Sequence, residues 1–122
     1  MNSKVLMVLR ILLGVFVLVF GLNKFFHFIP MAEMSADAGA YFGALTSTKT
    51  ITVVAIVEIV AGLGLIFNKY GALLSLILMS ISVNAVLFHL TLDPANSAGA
   101  IALLVLNIIA LYNYKDSYKS LL

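Results

Sequence analysis

The chain has 122 residues, 63% of them hydrophobic and only 10% charged, with no cysteine and a formal net charge of +2. A soluble domain carries about 25% charged residues, so water cannot solvate this surface and a lipid bilayer is the expected solvent. The missing cysteines exclude disulfides, thiol redox chemistry and iron–sulfur ligation by the chain's own thiolates, and the charge is too small and too dispersed to point to nucleic acid. The first apolar run is Val5–Leu22. Lys4 precedes it as in the n-region of a secretory signal. Arg10, however, interrupts the apolar core and no small-residue cleavage site follows Gly21, so this run is expected to remain as a span. It closes in GLNKFFHFIP, which sets Asn23, Lys24 and His27 among aromatic residues.

From Pro30 to about Leu45 the residues Met31, Met34, Ala38, Tyr41, Phe42 and Leu45 recur at helical spacing, with Glu33, Ser35 and Asp37 turned away. Pro30 suits a first helical position, and the pattern predicts a short amphipathic helix lying on the membrane surface, either as a lid or as a plain cover for the bundle end. Two further apolar runs follow, Ile51–Phe67 and Gly71–Leu90, joined by the tight turn NKYG. A last run, about Gly99–Tyr112, gains length from Asn96–Ala98 and Asn113–Tyr114. Spans need roughly 17–25 residues. The runs are continuously apolar rather than alternating, and lipid leaves no partner for open backbone groups, so helix is expected throughout. The expected fold is all-α: a four-transmembrane-helix bundle with a short interfacial helix between the first and second spans, in a single domain over residues 1–122. There is no internal repeat.

Lys4, Arg10, Lys69, Lys115 and Lys119 fall at one end of such a bundle, and only Lys24 and Lys49 at the other. This bias predicts both termini in the cytoplasm. Ionisable groups at depth are costly and need a partner or a wet cavity. Glu58 lies midway along the second span, about 13 Å from either end at helical rise. Arg10, Gly14, Val17, Gly21 and Lys24 form one small, polar stripe on the first span, and Arg10 is the expected partner of Glu58, with Asn107 nearby. Whether that pair is structural or part of a site stays open. Asn23, Lys24, His27, His89 and Asp93 make a second, outer cluster, with Asn84 between the two and expected to bond across helices. The serines of the third span can bond to their own helix, and Lys24 can snorkel to headgroups. His27 and His89 lack the further ligands that a metal or haem site needs, so no metal site is expected.

The stretches RILLGVFVLVFGLNKF at Arg10–Phe25, VEIVAGLGLIF at Val57–Phe67 and NAVLFHLTLD at Asn84–Asp93 resemble the DoxX family of small four-helix membrane proteins over nearly the whole chain. The resemblance implies association with membrane redox systems, including quinone-dependent thiosulfate oxidation, or a part in assembling other membrane proteins. It implies no set of catalytic residues, and the missing cysteines separate the chain from four-helix thiol–quinone oxidoreductases. The expected function is that of a quinone- or lipid-binding accessory subunit of a membrane redox system. The physical reading nominates Arg10, Asn23, Lys24, Glu58, Asn84 and His89 as its ligand-binding residues, since an apolar cavity with a few convergent polar groups is what such a ligand needs. The alternative is a non-enzymatic membrane scaffold or assembly chaperone. Either would sit in a bacterial inner membrane, with a membrane-protein partner or a second copy of the chain as its companion.

Overall fold

A computed structural model describes residues 3–29 and 33–121. Among them there is no strand. Five α-helices follow one another: α1 Ser3–Phe26, α2 Ala36–Ser47, α3 Thr50–Phe67, α4 Gly71–Leu92 and α5 Ala98–Asn113. Short 3-10 segments at Pro94–Asn96 and Lys115–Leu121 precede and follow α5. The architecture is the expected all-α membrane bundle. Helices α1, α3 and α4 are each long and apolar enough to cross a bilayer. With 16 residues, α5 spans about 24 Å at helical rise and reaches span length only together with Lys115–Leu121, from which it is bent by 74°.

The four long helices alternate in direction, so the start of α1, the α3–α4 turn and the end of α5 share one end of the bundle, here the terminal end. The other is the α2 end. Around the bundle the order is α1, α3, α4, α5, with α1 packed most closely on α3. Glycine explains that closeness. A Cβ on Gly62 would stand 2.7 Å from the Gly14 carbonyl oxygen, and one on Gly14 2.8 Å from that of Gly62. The two backbones touch because neither residue has a side chain there. The buried core beside them is apolar, with Leu13, Val17, Ala61, Leu65, Leu78 and Leu103 at its centre. The many exposed Val, Leu, Ile and Phe side chains lie on the outer faces of the long helices, where hydrocarbon replaces water as the solvent.

Polar groups within the core fix how α4 and α5 meet. Asn107 is fully buried. Its Oδ1 accepts from Ser82 Oγ at 2.6 Å, and its Nδ2 donates to the Ser75 carbonyl at 3.0 Å. At the terminal end Tyr114 donates to Asn68 Oδ1, and any Cβ on Gly71 would run into the Tyr114 ring.

The surface helix begins later than its apolar pattern predicts. Pro30 and Met31 lie outside the described residues, and Glu33, Met34 and Ser35 are not helical. Ser35 is the N-cap: its Oγ accepts from the Ala38 N–H at 3.2 Å and donates to the Leu92 carbonyl at 3.1 Å. A serine that can satisfy an orphan amide sets the start of a helix more strongly than an apolar spacing does. The second bond also ties α2 to the end of α4.

Candidate functional site

The stripe of small residues on α1 does face the bundle interior, since Leu13, Gly14, Val17 and Gly21 are its buried positions. One turn beyond Gly21 comes Lys24. A Cβ on Gly21 would stand 3.0 Å from the Ala55 carbonyl and from Glu58 Cβ, so glycine is what lets Glu58 lie against α1. Lys24 Nζ then sits 2.6 Å from Glu58 Oε1, with side-chain exposures of 23% and 4%. Helical side chains tilt toward their own N-terminus. In this antiparallel pair Lys24 reaches back down α1 while Glu58 reaches up, and the two converge.

The expected Arg10–Glu58 pair is therefore not formed. With Gly14 against Gly62, Arg10 is carried level with the end of α3, and its side chain tilts away from Glu58. It lies with Asn68, Asn113 and Tyr114 in a cleft at the terminal end. Nor does Asn107 join Glu58, because both ends of its amide are taken by α4.

Beside the Lys24–Glu58 pair lies a cavity of about 610 Å³, bounded by α1, α3, α4, α5 and by α2 across its end. Its walls are mostly apolar: Phe16 and Phe20 from α1, Tyr41, Phe42 and Leu45 from α2, and Phe88 from α4 are among them. The Tyr41 and Phe88 rings stack at 5.3 Å with their planes 22° apart, which seats α2 on α4. The polar groups at the wall are Lys24, Glu58, Ser80, Asn84, His89 and Asn96. Ser80 is satisfied by its own helix, donating to the Ile77 carbonyl at 2.8 Å. Asn84 is exposed and its side chain makes no hydrogen bond to another described residue, so the expected cross-helix bond belongs to Asn107 instead. His89 turns Nδ1 toward Asp93 Oδ2 at 3.3 Å, while Asp93 Oδ1 accepts from Asn96 Nδ2 at 2.9 Å. His89 Nδ1 and Asp93 Oδ2 are within ion-pair distance without forming a hydrogen bond.

Of the six residues nominated from sequence, Lys24, Glu58, Asn84 and His89 share this cavity. Arg10 and Asn23 do not. Asn23 is spent on the end of α1: its carbonyl accepts from the His27 N–H at 2.8 Å and its Oδ1 from the Ile29 N–H at 2.7 Å. His27, exposed with a φ of 52°, belongs to that same terminus and does not line the cavity. The aromatic wall and Asn96 are not among the residues that the sequence nominates. Phe16, Phe20 and Lys24 follow one another at four-residue spacing, a signal for a shared face that the glycine stripe obscured.

A family model, DoxX, matches residues 5–91. No curated protein and no solved structure matches the chain. The matched stretch holds Lys24, Glu58, Asn84 and His89 and stops short of Asn96 and α5. It covers well over half of the chain, and this integral membrane protein belongs to the DoxX family.

Proposed function

We propose that the protein binds a quinone, or a lipid of similar amphiphilic character, in the cavity between α2 and the four long helices, as an accessory subunit of a membrane redox system. One observation carries this reading: three independent polar groups, the Lys24–Glu58 pair, Asn84 and His89, meet on an otherwise apolar and aromatic cavity of about 610 Å³. Ligand sites of roughly 300–1,000 Å³ with such a lining are the general pattern. A quinone ring needs flat apolar walls and donors for its carbonyl oxygens. Phe16, Phe20 and Phe88 offer the walls. The Lys24 ammonium, the Asn84 amide and His89 Nε2–H, when protonated, are the donors. Glu58 holds Lys24 in place and balances its charge. The chain itself has no cysteine to carry electrons, so a membrane-protein partner would supply them. In this reading the membrane is a bacterial inner membrane with both termini cytoplasmic, in keeping with the excess of Lys and Arg at the terminal end.

The test is to purify the protein in mild detergent, extract it, and identify bound small molecules by mass spectrometry. A quinone or lipid retained in stoichiometric amount, and lost from Asn84→Leu and His89→Leu, is the expected result. Equal retention by those variants would defeat the assignment. The competing reading is a scaffold or assembly chaperone. It is favoured by the Asn107–Ser75–Ser82 network, which spends buried polar groups on helix register alone. A stoichiometric partner protein without a bound small molecule would support it.

A further inference from the structure

Arg10 stands seven residues into α1, about 10 Å along the helix, at the end of the bundle opposite the cavity. Its Nη1 is buried and has no hydrogen-bond partner. A buried guanidinium nitrogen without an acceptor is costly, and among the described residues no carboxylate side chain pairs with it. Among the described residues Glu58 is taken by Lys24, Asp93 by His89 and Asn96, and Asp116 by Lys119, while Glu33 and Asp37 lie around the start of α2 at the far end. The cleft around Arg10, about 350 Å³, is lined by Ser3, Met7, Asn68, Asn113 and Tyr114. Asn68 already accepts from Tyr114 through Oδ1, so its free group is the amide donor. Asn113 adds a second amide and Ser3 a hydroxyl. The cleft thus offers donors around a cation and lacks an anion. Lys69 and Lys115 lie at the same end of the bundle and add to its positive potential.

We propose that this cleft is an anion site that binds a phosphate group, with Arg10 as its anchor. The planar guanidinium fork matches phosphate oxygens in a bidentate way, and the amides of Asn68 and Asn113 can take the remaining oxygens. The phosphate of an anionic phospholipid and free inorganic phosphate present the same chemistry. The position, two turns inside the end of a spanning helix, lies within reach of a headgroup, and basic pockets between membrane helices hold such headgroups. The site is separate from the cavity and does not depend on the ligand assigned there.

Thermal unfolding of the delipidated protein in neutral detergent tests it. The probes are dioctanoyl phosphatidic acid, dioctanoylglycerol, which differs only in lacking the phosphate, and inorganic phosphate. Phosphatidic acid should raise the unfolding midpoint saturably and dioctanoylglycerol should not. Arg10→Gln should weaken the apparent affinity about tenfold or more, the usual worth of a hydrogen bond to a charged group. Arg10→Lys, which keeps the charge and loses the fork, should fall between. Asn113→Ala, at the exposed end of α5, should weaken it severalfold and guards against misfolding of the Arg10 variants. Ser47→Ala, exposed at the α2 end and outside both the cleft and the cavity, should leave the response unchanged. A response to inorganic phosphate at the same concentrations identifies a soluble anion as the natural occupant, and a response to phosphatidic acid alone identifies a headgroup. Wild-type affinity in Arg10→Gln and Asn113→Ala, or equal protection by dioctanoylglycerol, overturns the proposal.

Discussion

Breaking the Lys24–Glu58 pair from either side should have unequal consequences, and the inequality follows from where the two groups sit. Glu58 is 4% exposed and mid-span on α3; Lys24 is 23% exposed and lies two residues from the end of α1. In Lys24→Met the carboxylate keeps its buried position and loses the cation it pairs with among the described residues. Stranding one partner of a buried pair costs about 3–5 kcal/mol. In Glu58→Gln the stranded group is a lysine near a helix end, whose flexible stem can carry the ammonium out to the headgroups. That change should cost about 1.5–3 kcal/mol, the worth of the lost charged contact. The double variant Lys24→Met with Glu58→Gln leaves no buried charge and should return to within about 1 kcal/mol of the wild type. Unfolding in mixed micelles with increasing SDS, followed by circular dichroism, measures all three. A Lys24→Met protein as stable as the wild type would refute the reasoning, as would Glu58→Gln proving the more damaging single change. If Arg10 were the working partner of Glu58, Arg10→Met would reproduce the loss; the geometry predicts that it does not.

Other outcomes are expected from the same structure. Gly62→Ala should destabilise the bundle by about 1–3 kcal/mol, since its Cβ would press on the Gly14 carbonyl and on Leu18, whereas Gly43→Ala, which meets nothing within 4 Å, should stabilise α2 by about 0.5–1 kcal/mol; the same SDS titration reads the first and hydrogen exchange in α2 the second. Asn107→Leu should cost about 1–2 kcal/mol by removing two bonds between α4 and α5, and a neutral result would mean that this network is idle. Because the chain has no cysteine, single cysteines at Ser47 and Ser117 can be labelled with an impermeant thiol reagent; they should react from opposite sides of the membrane, with Ser117 on the cytoplasmic one.

Hydropathy alone determined that this chain lives in lipid and folds as a helical bundle, because a bilayer permits few alternatives to a span whose backbone is satisfied within itself. The glycine stripe of α1 was equally legible, since small residues at helical spacing mark a helix–helix contact whatever the partner. The start of α2 was less so. Apolar spacing pointed to Pro30, but Ser35 decides it by capping the helix and bonding to α4. The pairing of charges was not legible at all. Arg10 and Lys24 lie on the same stripe, Arg10 one turn before Gly14 and Lys24 one turn beyond Gly21, and the sequence offers both to Glu58. Only the register of α1 against α3 chooses between them. That register is set where Gly14 meets Gly62, and it brings Lys24 down to Glu58 while leaving Arg10 beside Asn68 at the far end. The cavity, too, belongs to the tertiary structure, because its wall draws on residues from five helices whose spacing in the chain says nothing of their distance in space.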